Sequence, residues 1–262
     1  GSSSGDRLTL SSLASSSVTM FGGGDIEMGR TGRGTNPLVH LAVESARRGF
    51  VRKVYGLVAL QLGCTAIIAA PIAMKSDAWL QDHFALFTCC SMGLLVLAIS
   101  LSCCSHLLRQ HPTNLVILAA FTVMESVTVG FFSAMYSMQS VVLCLFVTAA
   151  VAGALTVVAF NTKIDATGLG AYLQATSLAL FCVGLAGLFL HAPIIQLVYA
   201  AGGAALFAGY LVYDTQLVVG GKNKSKQFSI DDYVLAALSI YLDLVRLFIF
   251  ILRLLGDKRE SR

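Results

Sequence analysis

Charge is what this chain has least of. Only 12% of its 262 residues are Asp, Glu, Lys or Arg, while 56% are hydrophobic; an ordinary soluble domain carries roughly 25% charged residues. That scarcity excludes a soluble globular domain and points to an integral membrane protein. An excess of one sign is missing too. The formal net charge of +4 is too small to argue for nucleic acid as a partner. Ten-residue alternating segments, the mark of a membrane β-barrel, are absent; the apolar runs are of helix length. None of the seven cysteines (Cys64, Cys89, Cys90, Cys103, Cys104, Cys144 and Cys182) forms a Cys-x-x-Cys or Cys/His metal spacing, so they are read as small hydrophobes. There is no Gly-rich phosphate loop and no Ser/His pair inside the apolar runs. Tyr213-Asp214 is like the first motif of intramembrane aspartyl proteases, but their second motif, Gly-x-Gly-Asp, has no counterpart: Gly256-Asp257 is preceded by Leu254 where the first Gly would stand. Neither an enzyme nor a cofactor is expected.

What is there is a series of apolar spans. Residues 1–46, Gly- and Ser-rich and without a continuous apolar core, read as a disordered cytosolic tail and not as a secretory signal. Residues 47–256 read as one all-α, polytopic domain of seven transmembrane helices, and residues 257–262 as a charged tail. The spans are expected near Val54–Met74, Phe84–Leu108, Asn114–Tyr136, Ser140–Phe160, Leu169–Leu190, Ile194–Val219 and Tyr233–Leu255. Basic residues (Arg47, Arg48, Arg52 and Lys53, then Arg109, Lys163, and Lys222, Lys224 and Lys226) flank the first span and the even-numbered loops. The positive-inside rule therefore puts the N-terminus in the cytosol. Seven spans then place the C-terminus on the other side, where Lys258, Arg259 and Arg262 break the rule: either the last span crosses despite its basic tail, or one segment is re-entrant.

Against so apolar a background the few internal charges stand out. Asp214 ends span six, and Asp243 and Arg246 lie inside span seven. A charge near the bilayer centre costs from about 3 to 10 kcal/mol or more, so it faces the bundle interior or water and has a partner. Span seven is therefore expected at the centre of the bundle. A short loop makes spans six and seven antiparallel neighbours, which brings Asp214 and Asp243 to similar depth. Two carboxylates close together in a low dielectric do not both ionise cheaply, so they share a proton. Ionised, they offer oxygen ligands of the kind that suits Ca²⁺. The alternative is that each caps a helix or pairs with a base at the water interface. Arg246 follows Asp243 by three residues, on one helical face, and an intrahelical pair is expected there. Glu125, deep in span three, is either a pore-lining carboxylate or a protonated acid bonded to a neighbouring helix.

The order of several short motifs resembles the transmembrane Bax inhibitor motif family, in its lifeguard or Golgi anti-apoptotic branch. They are Phe50–Leu62; Pro112-Thr113-Asn114 with Phe121–Glu125; Asn161-Thr162-Lys163-Ile164-Asp165; Tyr213-Asp214-Thr215-Gln216; Asp232–Leu238; Ile240-Tyr241-Leu242-Asp243; and Leu252–Gly256. The resemblance implies a seven-span protein of the endoplasmic reticulum or Golgi membrane, in contact with lipid, Ca²⁺ and H⁺. It implies a pH-sensitive Ca²⁺ leak that regulates store Ca²⁺ and restrains cell death. The alternative is a non-conducting scaffold that acts through cell-death regulatory proteins. It also implies that Asp214 and Asp243 are the proton-binding and Ca²⁺-binding pair of the last two spans, that Glu125 occupies an acidic position of span three, and that Arg109 lies close to an arginine that contacts the pair. Arg246 departs from the pattern, standing where the family usually has Asn.

Overall fold

A computed structural model describes residues 37–103, 110, 112–190, 192–220 and 225–259. Inside a bilayer no water is available to the backbone, so each apolar run must satisfy its own N–H and C=O groups, which a helix does within the segment. Seven of the described helices are long and apolar enough to cross a membrane, and the chain is an all-α, multi-pass integral membrane protein. The helices are α1 (Pro37–Ala73), the short α2 (Asp77–Asp82), α3 (Phe84–Cys103), α4 (Thr113–Ser133), α5 (Met138–Asn161), α6 (Gly170–Phe189), α7 (Pro193–Val219) and α8 (Tyr233–Leu255). Single 3-10 turns, Ala166–Leu169 and Ile230–Asp232, precede α6 and α8.

The first helix differs from the sequence expectation. α1 has 37 residues, about 55 Å at 1.5 Å per residue, and begins well before Val54. Residues 37–46, expected in the disordered tail, are helical; residues 1–36 and 260–262 lie outside the described residues.

α8 is the axis. In its most apolar stretch 72% of the residues are buried inside the protein, against 6% for α3 and none for α6. It packs on α7, α1, α5 and α4, while α3 leans on α4 and α6 on α7. The outer helices thus show lipid nearly their whole surface, and the central one shows it little. That is why the internal charges sit on α8 and its direct neighbours. Gly203 sets the closest approach of α7 to α8, since a Cβ there would run into the Phe250 ring; Gly202 and Gly209 face Leu180 and Leu173 of α6.

The start of the basic tail that broke the charge rule is tied to the bundle; Arg262 lies outside the described residues. After α8 the chain pairs with the α4–α5 connection: Tyr136 and Lys258 form an antiparallel bridge, the Ser137 N–H donates to Asp257 O (2.9 Å) and the Arg259 N–H to Met135 O (3.0 Å). The Arg259 guanidinium donates to Lys75 O, 2.7 Å away, beyond the end of α1. Arg253 lies over the rings of Phe132 and Tyr199, 4.8 and 5.5 Å from their centroids. The C-terminal end of α8 is therefore opposite the start of α1, with Arg253 engaged by aromatic faces and Arg259 by a carbonyl. α8 traverses the whole bundle.

Candidate functional site

α7 and α8 run antiparallel with a Gly at their contact, and this brings Asp214 and Asp243 together. Both carboxyls are inside, 8% and 5% exposed, and they lie within hydrogen-bond reach of each other, with the Ser239 hydroxyl, one turn before Asp243, also reaching Asp214. Two carboxyl oxygens approach this closely only with a proton or cation between them. Asp243 Oδ2 is buried and has no hydrogen-bond partner, so one acceptor of the pair remains available. Tyr210 and Tyr213 of α7 are near enough to feel these charges. Among the described residues no three His, Cys, Asp or Glu cluster together. A Ca²⁺ at the pair would therefore draw most of its six to eight oxygens from water and neutral groups.

Arg246 does not turn to Asp243. Its Nη2 lies 3.4 Å from Oε1 of Glu125 on α4; the Arg246 side chain is 39% exposed and that of Glu125 fully buried. Along a helix, three residues correspond to about 300° of rotation, so while Asp243 faces α7, Arg246 is directed about 60° away, toward α4. The expected intrahelical pair gives way to an interhelical one.

Around Glu125 lies a polar cluster between α1, α4 and α8. Gln61 Nε2 donates to Thr122 Oγ1 (3.0 Å), Thr122 donates to Leu118 O (2.7 Å) and Thr65 to Gln61 O (2.9 Å). Ser126 bonds to Thr122 O (2.5 Å) and Thr65 Oγ1 (3.1 Å), and Tyr241 OH meets Thr65 Oγ1 at 2.9 Å. The hydroxyl protons are thereby taken up within the cluster. Both carboxylate oxygens of Glu125 and Oε1 of Gln61 are left without a hydrogen-bond partner. The sequence held a signal for this cluster: Gln61 and Thr65, and Thr122 and Ser126, are i, i+4 polar pairs in apolar spans.

The end of α7 that carries Asp214 is fixed by two latches. Arg47 of α1 donates to the carbonyls of Leu217 (2.6 Å), Val219 (3.1 Å) and Phe228 (2.6 Å), capping α7. α7 stops at Gly220, whose φ of 62° suits only glycine, and a Cβ there would meet the Arg47 guanidinium and Gln227. In the second latch, Gln216 accepts from the Ala166 N–H (2.7 Å) and donates to Ile164 O (3.1 Å). Asp165 accepts from the Thr167 N–H (3.0 Å) and hydroxyl (2.6 Å) and from the Ser225 N–H (2.9 Å). Burial works upward on the Asp165 carboxyl, but these hydrogen bonds together outweigh it and hold the group down at about 2. In the sequence Arg47 reads only as a topology signal and Asp165 only as the end of a short motif. Arg109 and Asn223, of the Asn223-Lys224-Ser225 glycosylation pattern, lie outside the described residues.

A sequence model described as "Inhibitor of apoptosis-promoting Bax1" matches residues 47–260. Protein lifeguard 3 of Homo sapiens is 32% identical over 218 residues, 81% of this chain and 70% of that protein. Its counterpart in Mus musculus is 31% identical over the same shares. A BI1-like protein of Arabidopsis thaliana is 34% identical over 246 residues, 89% of this chain and 91% of that one.

Proposed function

The chain belongs to the family described as inhibitors of apoptosis-promoting Bax1, and from that premise we propose that it is a pH-sensitive Ca²⁺ leak of an intracellular membrane, the endoplasmic reticulum or Golgi, that lowers store Ca²⁺ and restrains cell death. The observation that carries this reading is the buried contact between Asp214 and Asp243, with an acceptor left over at Asp243. A shared proton holds the two helices together there. When it leaves, two adjacent anions repel each other and attract a divalent cation, which couples pH to the separation of α7 and α8. The name of the family and the printed names of the relatives support the cell-death role, and the oxygen chemistry of the pair supports Ca²⁺.

The test is Ca²⁺ flux into dye-loaded liposomes between pH 6 and 8. We expect flux that rises with pH in the native protein, and loss of that pH dependence in Asp214→Asn and Asp243→Asn. Absence of any protein-dependent flux across this range would leave the non-conducting scaffold as the function.

A further inference from the structure

The unpartnered groups around Glu125 form a set of acceptors only. Gln61 Oε1 and both Glu125 oxygens are buried, at 1% and 0% residue exposure, and receive no hydrogen bond. Gln61 bonds to Thr122, and Glu125 is one turn further along the same face of α4. The neighbouring hydroxyls give their protons to backbone carbonyls or to one another; Thr65, which also accepts from Ser126 and Tyr241, is saturated, and Ser126 and Tyr241 have lone pairs, not protons, left to offer. A buried acceptor set of this kind is satisfied by a cation. Arg246 fills that role loosely. At 3.4 Å it is longer than the roughly 2.7–2.9 Å of a charge-assisted hydrogen bond, and its side chain is 39% exposed, so the pair is not sealed within the bundle.

We propose that Gln61, Glu125 and the hydroxyls of Ser126 and Tyr241 form a second cation site, separate from the aspartate pair, and that Arg246 is its tethered occupant, exchangeable for a free monovalent hard cation such as Na⁺. The charge selects the valence. The site holds one carboxylate, and one guanidinium neutralises it; Na⁺ replaces that charge one for one, whereas a divalent ion would leave an uncompensated positive charge in a low dielectric. All the available ligands are oxygens, as a hard cation requires. The inference does not depend on the Ca²⁺ leak.

The experiment uses the full chain in detergent, in NaCl or in N-methyl-D-glucamine chloride at equal ionic strength. In the native protein Na⁺ releases the guanidinium, so phenylglyoxal modification of Arg246, read by peptide mass spectrometry, should be several-fold faster in Na⁺. In Glu125→Gln it should be fast in both salts. Arg246→Gln should gain a Na⁺-dependent rise in melting temperature that Glu125→Gln/Arg246→Gln lacks and that Asp214→Asn/Asp243→Asn does not remove when added. Equal modification rates in the two salts for the native protein would overturn the proposal, whatever the variants do, and would mean that Na⁺ does not displace Arg246 from Glu125. A Na⁺ effect that survives Glu125→Gln, or one matched by Ca²⁺ at equal concentration, would overturn it as well. The flux test is unaffected by any of these outcomes.

Discussion

Asp243 and Arg246 stand one turn apart on α8, and each meets a buried acid of a neighbouring helix, Asp214 of α7 and Glu125 of α4, yet the two acidic stations so formed have partners of different charge. At Asp243 the partner is another carboxyl, Asp214; at Glu125 it is a guanidinium, Arg246. Helix rotation decides which neighbour each side chain meets, and the neighbour decides the chemistry. In the proposed function the first station changes charge with pH. The second is neutral as a pair, and only an exchange of cations alters it. Sequence spacing alone would have merged them, since Asp243 and Arg246 fall within one helical turn.

The sharpest way to break this comparison is to remove the cation from the second station. Arg246→Leu strands a buried carboxylate, and in N-methyl-D-glucamine chloride the cost should be about 3 kcal/mol, at the low end for a broken buried pair because Arg246 is half-exposed. Glu125→Leu removes the buried acid itself and leaves the cation on its partly exposed side, so it should cost less, about 1 kcal/mol. The double variant should recover most of the loss. Thermal unfolding in detergent measures all three. Equal losses in the two single variants would mean that Glu125 is not held by the pair.

The first station is tested by wedging it open. Gly203→Val would drive a side chain into Phe250 and push α7 from α8, at about 2 kcal/mol for such overpacking. The pH response of flux should weaken with it, although neither aspartate has changed. A pH profile identical to that of the native protein would show that the pair does not depend on this contact. A smaller effect is expected at Arg47. Arg47→Met keeps the stem but removes three donations, to the Leu217 and Val219 carbonyls at the end of α7 and to the Phe228 carbonyl before α8, costing about 1.5 kcal/mol, or roughly tenfold faster local opening. Hydrogen exchange at residues 217–220 and 228 should show it, and exchange in α6 should not change.

How much of this was legible in the sequence depends on the range of the contact. The seven spans and the central place of the last one follow from hydropathy and from two acids and an arginine in apolar runs. The aspartate pair was readable because a short loop forces its two helices to be neighbours. The partner of Arg246 was not, because Asp243 was the nearer acid along the chain and only the packing of α4 on α8 shows otherwise. Arg47 read as a topology signal, since its work is done on carbonyls, which leave no trace in side-chain identity. The basic tail seemed to contradict an odd number of spans for the same reason: Arg259 is engaged by a carbonyl and Arg253 by aromatic faces.

The smallest effect separates the latch from the pH response. Asp165 is held down at about 2, against roughly 3.9 for an Asp in an unfolded chain. A carboxyl lowered on folding adds stability that is fully present above about pH 4 and is lost as pH falls through 4 toward 2. Between pH 6 and 8 Asp165 stays ionised and contributes a constant amount, so the latch cannot generate pH-dependent flux. Asp165→Asn keeps the size of the side chain but weakens the acceptors for Thr167 and for the Ser225 N–H. It should lower the melting temperature at pH 7 by a few degrees or less. The gap from the native protein should narrow as pH is lowered from 5 to 3, where the native carboxyl begins to lose its advantage over the unfolded one. The flux midpoint should not move if, as proposed, the proton that sets it belongs to Asp214 and Asp243. A shifted midpoint would mean that the loops govern the pair, and a gap that stays constant down to pH 3 would mean that the hydrogen bonds to Asp165 do not hold its charge.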